Sequence, residues 1–238
     1  GGENVFPLYS FDAAIENAPK VGIEITDFGM EHEPECIKKY YEGCATLADM
    51  ARKAASMEGV DFLSFRMEGG DPNGANKSTE ELIGELKEIA DAVDLPLVVC
   101  GCKNVEKDAE LFSKAAEALN GKNAVILSAK EENYKTVGAA AGLAYKQVVG
   151  AESAVDINLA KQLNVLISQL GVDSKSVVMN VGSAAVGYGF EYVISTMDRV
   201  KAAALQQGDA NLQMPIITPV ASEAWGVKEA MASETDAP

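Results

Sequence analysis

Histidine is almost absent from this sequence: His32 is the one copy in 238 residues. That argues against a Ser-His-Asp triad and against a zinc site built on histidine. His32 itself, in the acidic stretch "EHEPEC", reads as a solvated loop residue. Cysteine is scarce as well, with four in the chain. They are too few to staple a protein of this length, which points to a reducing cytoplasm. Cys36 and Cys44 stand apart, and Cys100 and Cys102 flank Gly101; neither spacing is the tight run that holds an iron–sulfur cluster. These read as structural or incidental thiols. Basic residues are outnumbered 20 to 36 by acidic ones, for a net charge of −16. A field of that sign disfavours nucleic acid and anionic membranes, and favours solubility or a basic partner. No apolar run approaches the roughly 20 residues that a membrane span needs. The opening "GGENVFPLYSFD" has neither the basic nor the apolar region of a secretory signal. Finally, no G-x-G-x-x-G or Walker pattern opens the first structural unit, which weakens any nucleotide-binding sheet.

What is present is a folded chain. Apolar residues make up 47%, and the mean hydropathy is near zero, enough to build a large core. Short β-branched runs recur, beginning with Val21 to Ile25, Phe62 to Met67 and Leu97 to Cys100. Ala124 to Leu127, Gln147 to Val149, Val177 to Met179 and Pro215 to Thr218 complete the series, with helical segments between them. Ser78 and Glu81 form a capping-box pattern ahead of Leu82, Ile83, Leu86 and Ile89. Asp156 can cap a helix carrying Ala160, Leu163 and Ile167, with Gly171 as its left-handed stop. Val193, Met197, Val200 and Ala204 mark another amphipathic stripe. Seven strands alternating with helices predict an α/β fold of the (β/α)8 TIM-barrel type, incomplete at its C-terminus. Residues 1–20 are expected to be an N-terminal extension and residues 21–238 the barrel, with the eighth strand lying past residue 238 or supplied in some other way.

In such a barrel, function sits in the loops after the strands. Here these read "EGGDPNGAN", "GCKNVEKD", "SAKEENYKT", "AESAVDIN", "NVGSAAVGYG" and "PVASEAW". Asn, Asp and Ser dominate, and Gly allows close backbone approach. Each also has a plainer reading. Asp71 to Gly74 suits a turn, Asn104 a turn and Asp156 a helix cap. Gly187-Tyr188-Gly189 is either a packing turn or an aromatic laid flat against a macrocycle, and Trp225 suits core or interface.

The order of segments from "GGENVFPLYSF" through "RMEGGDPNGANKSTEE", "DINLAKQLNVLI" and "GYGFEYVISTMDRVKAAAL" to "MPIITPVASEAWGVKEA" resembles one family from end to end. It is that of the small (delta) subunit of the corrinoid/iron-sulfur protein in the acetyl-CoA decarbonylase/synthase (CO dehydrogenase/acetyl-CoA synthase) complex. The resemblance implies a TIM barrel that pairs with a large (gamma) subunit carrying a [4Fe–4S] cluster and the corrinoid. The cobalamin-type cofactor would lie between the two. It would take a methyl group from a methyl-tetrahydropterin donor or its methyltransferase and pass it to acetyl-CoA synthase/CO dehydrogenase. This chain would cap the corrinoid and not be an enzyme on its own. The strand-end residues implied to face the corrinoid are Asp71, Asn73, Asn104, Asp156, Asn158, Asn180, Gly187, Tyr188 and Thr218. No metal ligand is expected, since the Asp-x-His-x-x-Gly signature of a cobalt-ligating domain is missing.

One departure stands out. After the sixth strand the family would read Met-Asp-Pro with a Thr-rich run, whereas this chain has Met179-Asn180-Val181 and then small residues. Asn in place of Asp removes a negative charge from that face. The rival reading is a methyl-tetrahydropterin:corrinoid methyltransferase on a related barrel, with Asp71, Asn104 and Asp156 binding the pterin.

Overall fold

The computed structural model describes residues 17–230, together with 232 and 235. Most of the expected extension over residues 1–20 therefore lies outside the described residues.

Seven strands form one sheet in chain order, each hydrogen-bonded in parallel to the next. They are β1 (Gly22–Thr26), β2 (Phe62–Arg66), β3 (Leu97–Cys100), β4 (Val125–Ala129), β5 (Val148–Glu152), β6 (Val177–Asn180) and β7 (Ile216–Ile217). The helices are α1 (Glu35–Tyr40), α2 (Leu47–Ala55), α3 (Thr79–Ala92), α4 (Val105–Ala118) and α5 (Tyr134–Val137), which runs into a π-helical turn at Gly138–Ala144. α6 (Ile157–Gln169), α7 (Phe190–Gln206) and α8 (Val220–Ala224) follow. All seven expected strands are present, but the ring is not closed. The sheet curls into an open half-barrel, because β7 pairs with β6 alone and no strand among the described residues joins it to β1.

Helix starts follow local chemistry. Ser78 Oγ accepts the Glu81 N–H at 3.1 Å and opens α3; Asp156 Oδ1 accepts from Asn158 and Leu159 at 2.7 and 3.1 Å and opens α6. α2, which the sequence left undefined, has a full capping box between Thr46 and Asp49. Gly171, at φ 103°, supplies the left-handed stop after α6.

Alternation along the strands sorts two environments. Ile25, Leu63, Phe65, Val99, Ile126, Val149 and Met179 face the helices and pack with Leu82, Leu86, Leu111, Phe112 and Leu163 in the main core. Burying one such Leu or Phe is worth about 1.5–3 kcal/mol. The opposite residues share register across the concave face, where Glu24 pairs with Ser64, Arg66 with Cys100, and Glu152 with Asn180. Val98, Cys100 and Leu127 form a smaller apolar floor there. The half-barrel thus has a greasy back and a polar mouth.

Candidate functional site

Charged side chains stand inside strands of the concave face. Arg66 donates from Nε and Nη2 to the two Glu24 oxygens at 3.0 and 2.9 Å, across β2 and β1. Both side chains are almost fully buried, at 9% and 11% exposure. On the far side Lys130 pairs with Glu152 at 3.3 Å. Asn180 spans the gap, donating to Ser128 Oγ at 2.9 Å and to Glu152 at 3.4 Å while accepting the Gly182 N–H at 3.0 Å.

Two strand-end loops are tied down by the same device. The N–H of Gly69 donates to both oxygens of buried Asp27, at 2.9 and 3.1 Å. A Cβ at Gly69 would run into that carboxylate. Lys77 closes the loop from its other end, 3.0 Å from Asp27 Oδ2. After β3, the Cys102 N–H donates to buried Asp108 at 2.7 Å, and a Cβ at Gly101 would strike the same carboxylate. The glycines of "EGGDPNGAN" and "GCKNVEKD" are there to let backbone meet a buried acid. Burial pushes the Asp108 carboxyl above its ordinary range, against the pull of the Cys102 N–H and thiol and the Lys130 charge. After β5, Ala154 and Val155 take left-handed φ of 45° and 60°. For β-branched Val155 this is strained backbone; its N–H to Val181 O and its own O, accepting from Thr196, hold it there.

Two adjoining cavities occupy the mouth. The smaller, about 200 Å³, is walled by Arg66, Asp108, Ser128, Lys130, Glu152, Asn180 and Ser183 among others. The larger, about 570 Å³, runs over β1 and is lined by Glu24, Ile25, Glu33, Ile37, Met50, Glu68, Asp71 and Trp225 among others. Arg66, Gly101, Lys103 and Ser222 form the wall between them. In the larger cavity burial, reinforced by the charges of Glu24 and Glu68, raises the Glu33 carboxyl above its usual range. His32 is an exposed residue on its margin, set edge-on to Phe28 at 4.8 Å.

The residues named from the sequence are not gathered at one point. Asn180 lines the smaller cavity and Asp71 the larger. Asp71 also accepts the Asn73 N–H at 2.9 Å within its own turn, leaving Asn73 exposed. Asn104 caps α4 by accepting the Lys107 N–H at 3.0 Å, and Asp156 caps α6. Asn158 is exposed in the first turn of α6, and Thr218 is half-buried ahead of α8. Gly187 takes φ 83°. Tyr188 is 58% exposed, and its hydroxyl donates to Glu229 at 2.9 Å. Val186 and Tyr192, near it in the chain, are exposed as well, at 83% and 66%. The inventory from the loops missed Glu24, Arg66, Ser128, Lys130 and Glu152. Their signal was a charged or polar residue at alternate positions within an otherwise apolar strand or at its end.

Two expected results test these assignments. Asn104→Ala should cost about 1 kcal/mol through loss of the cap, and Asn104→Asp almost nothing; denaturant titration reads both. Burial pushes the Cys100 thiol up to about 11 and that of Cys102 to about 12. Exposed Cys36 should alkylate at neutral pH while Cys100 and Cys102 stay unmodified until the protein unfolds or the pH approaches those values. Peptide mapping after iodoacetamide decides it, and fast labelling of Cys100 at pH 7 contradicts it. Among the described residues, no group of three or more His, Cys, Asp or Glu is placed to hold a metal ion. No helix among them is long and apolar enough to cross a membrane.

Fold and site together define a parallel α/β half-barrel with a hydrogen-bonding mouth in which each cation is matched by a carboxylate. A family model for the CO dehydrogenase/acetyl-CoA synthase delta subunit matches residues 1–235. Among curated proteins, the acetyl-CoA decarbonylase/synthase complex subunit delta of Methanothermobacter thermautotrophicus is 33% identical over 231 residues, covering 96% of this chain and 58% of its own. That of Methanopyrus kandleri is 34% identical, covering 96% and 56%; that of Archaeoglobus fulgidus is 32% identical, covering 97% and 51%. The chain belongs to the CO dehydrogenase/acetyl-CoA synthase delta subunit family. It spans a little over half the length of these relatives.

Proposed function

We propose that this chain is the barrel portion of a delta subunit in an acetyl-CoA decarbonylase/synthase complex. There it pairs in the cytoplasm with the large corrinoid/iron-sulfur subunit and covers the corrinoid held between them. The observation that carries the reading is the mouth itself, polar and charge-balanced inside, with exposed Val186, Tyr188 and Tyr192 on the segment after β6 whose Gly182 and Ser183 line the smaller cavity. Donors and acceptors there suit a cofactor edged with carboxamides, and buried Ser183 Oγ has no hydrogen-bond partner within the described residues. The fit is therefore good for a group laid across the rim. The corrinoid, when bound, supplies the cobalt that carries the methyl group. The residues of this chain would orient it, exclude water from one face and leave the cobalt without a ligand from this side. The methyl donor, and acetyl-CoA synthase as acceptor, would reach it through motion of the partner.

The methyltransferase alternative needs Asp71, Asn104 and Asp156 to converge on a pterin. All three spend side-chain oxygens on their own turns or caps, so no observation favours it. The test is assembly with the large subunit. The two should elute together at one-to-one ratio and retain cobalt, and Tyr188→Ala together with Tyr192→Ala should weaken that retention. Stoichiometric cobalamin on this chain alone, or methyl transfer by it alone, overturns the proposal.

A further inference from the structure

The smaller cavity holds features that the capping role does not by itself require. Ser183, with its Oγ buried, lies on its wall, and that oxygen has no hydrogen-bond partner among the described residues. Ser128 Oγ accepts from Asn180 at 2.9 Å and keeps its own O–H to give. Two hydroxyls thus offer a donor each, and Ser183 an acceptor as well. An unpaired buried hydroxyl costs stability unless something fills its hydrogen bonds.

Charge selects the kind of guest. Arg66 is matched by Glu24, Lys130 by Glu152, and Lys103 by Glu223 at 3.2 Å. Asp108 is the remaining carboxyl, already bonded to the Cys102 N–H. A carboxylate guest would enter next to Asp108 and Glu152 with the lining cations already paired, and an ammonium would meet one carboxyl outside an ion pair, Asp108, whose Oδ1 already accepts from the Cys102 N–H and thiol. A neutral group having both a carbonyl acceptor and N–H donors satisfies the two serines without disturbing the pairs. Size narrows it further. About 200 Å³ is below the roughly 300–1,000 Å³ of pockets that enclose a whole ligand, and suits a short side arm.

Resting on the capping reading above, we infer that this cavity is a subsite for one carboxamide arm of the corrinoid, seated against Ser183 and Ser128. The arm pins the rotation of the macrocycle over the mouth. It gives the subunit a means of distinguishing an intact corrinoid from one with a hydrolysed amide.

The experiment uses the full-length chain assembled with its corrinoid-bearing partner. It is loaded with cobalamin or with each monocarboxylic acid obtained by hydrolysing a single side-chain amide, and dissociation constants are read by equilibrium dialysis. One monoacid should bind about tenfold more weakly than cobalamin, the others nearly as well. Ser183→Leu, which fills the cavity, should weaken cobalamin and abolish the discrimination, and Ser183→Ala should do both to a smaller degree with the fold undisturbed. Equal binding of every monoacid, or discrimination that survives Ser183→Leu, overturns the subsite while leaving the capping role in place. Failure of the assembled subunits to retain cobalamin overturns both.

Discussion

Arg66→Met is expected to lower the free energy of unfolding by about 3–5 kcal/mol, the usual consequence of leaving one half of a buried ion pair behind. Glu24 would keep a carboxylate at 11% side-chain exposure with neither guanidinium bond, against an apolar floor of Val98, Cys100 and Leu127. The companion variant Arg66→Met with Glu24→Leu removes both charges and should recover most of the loss, since a buried pair replaced by apolar groups of similar volume is often near neutral. Urea titration of wild type, both single variants and the double variant gives the coupling directly. A single-variant loss below about 1 kcal/mol, the range of exposed pairs, would mean that the mouth is wetter than the structure has it.

The second large effect is expected at Lys77. Its ammonium sits 3.0 Å from Asp27 Oδ2 and 3.3 Å from Glu85, and donates to the Asp27 carbonyl at 2.8 Å. The Asp27 side chain is fully buried. Lys77→Met leaves it with only the Gly69 N–H and should cost about 3 kcal/mol. The damage should be local as well as global. The loop from Glu68 to Lys77 loses the anchor at its far end, so amide exchange there should rise before the main core responds. Uniform exchange across the protein, with no excess in this loop, would count against the clamp.

Strand and helix positions were largely legible because short β-branched runs and amphipathic stripes are local signals. β3 is found where the sequence places it, and the Ser78 and Asp156 caps are found in place. The mouth was less legible, for a physical reason. A lone charged residue inside a short, largely apolar strand, such as Glu24 in β1 or Arg66 in β2, is a local signal that says nothing of which neighbour it will face. Glu24, Arg66 and Glu152 become a set only once the register aligns them. The loops mislead in the opposite direction. Asn104 and Asp156 are the residue types that bind ligands and also those that cap helices, and the structure has them capping. The π-helical turn at Gly138–Ala144 had no sequence signal beyond a run of small residues.

The open ring has a bearing on how the molecule forms. Every strand lies beside its immediate predecessor and successor, so each new layer can dock on the one just made, much as turns are added to a solenoid. Among the described residues no seam joins first and last strand, and growth by near neighbours shortens the loops that must be closed on the way from one layer to the next.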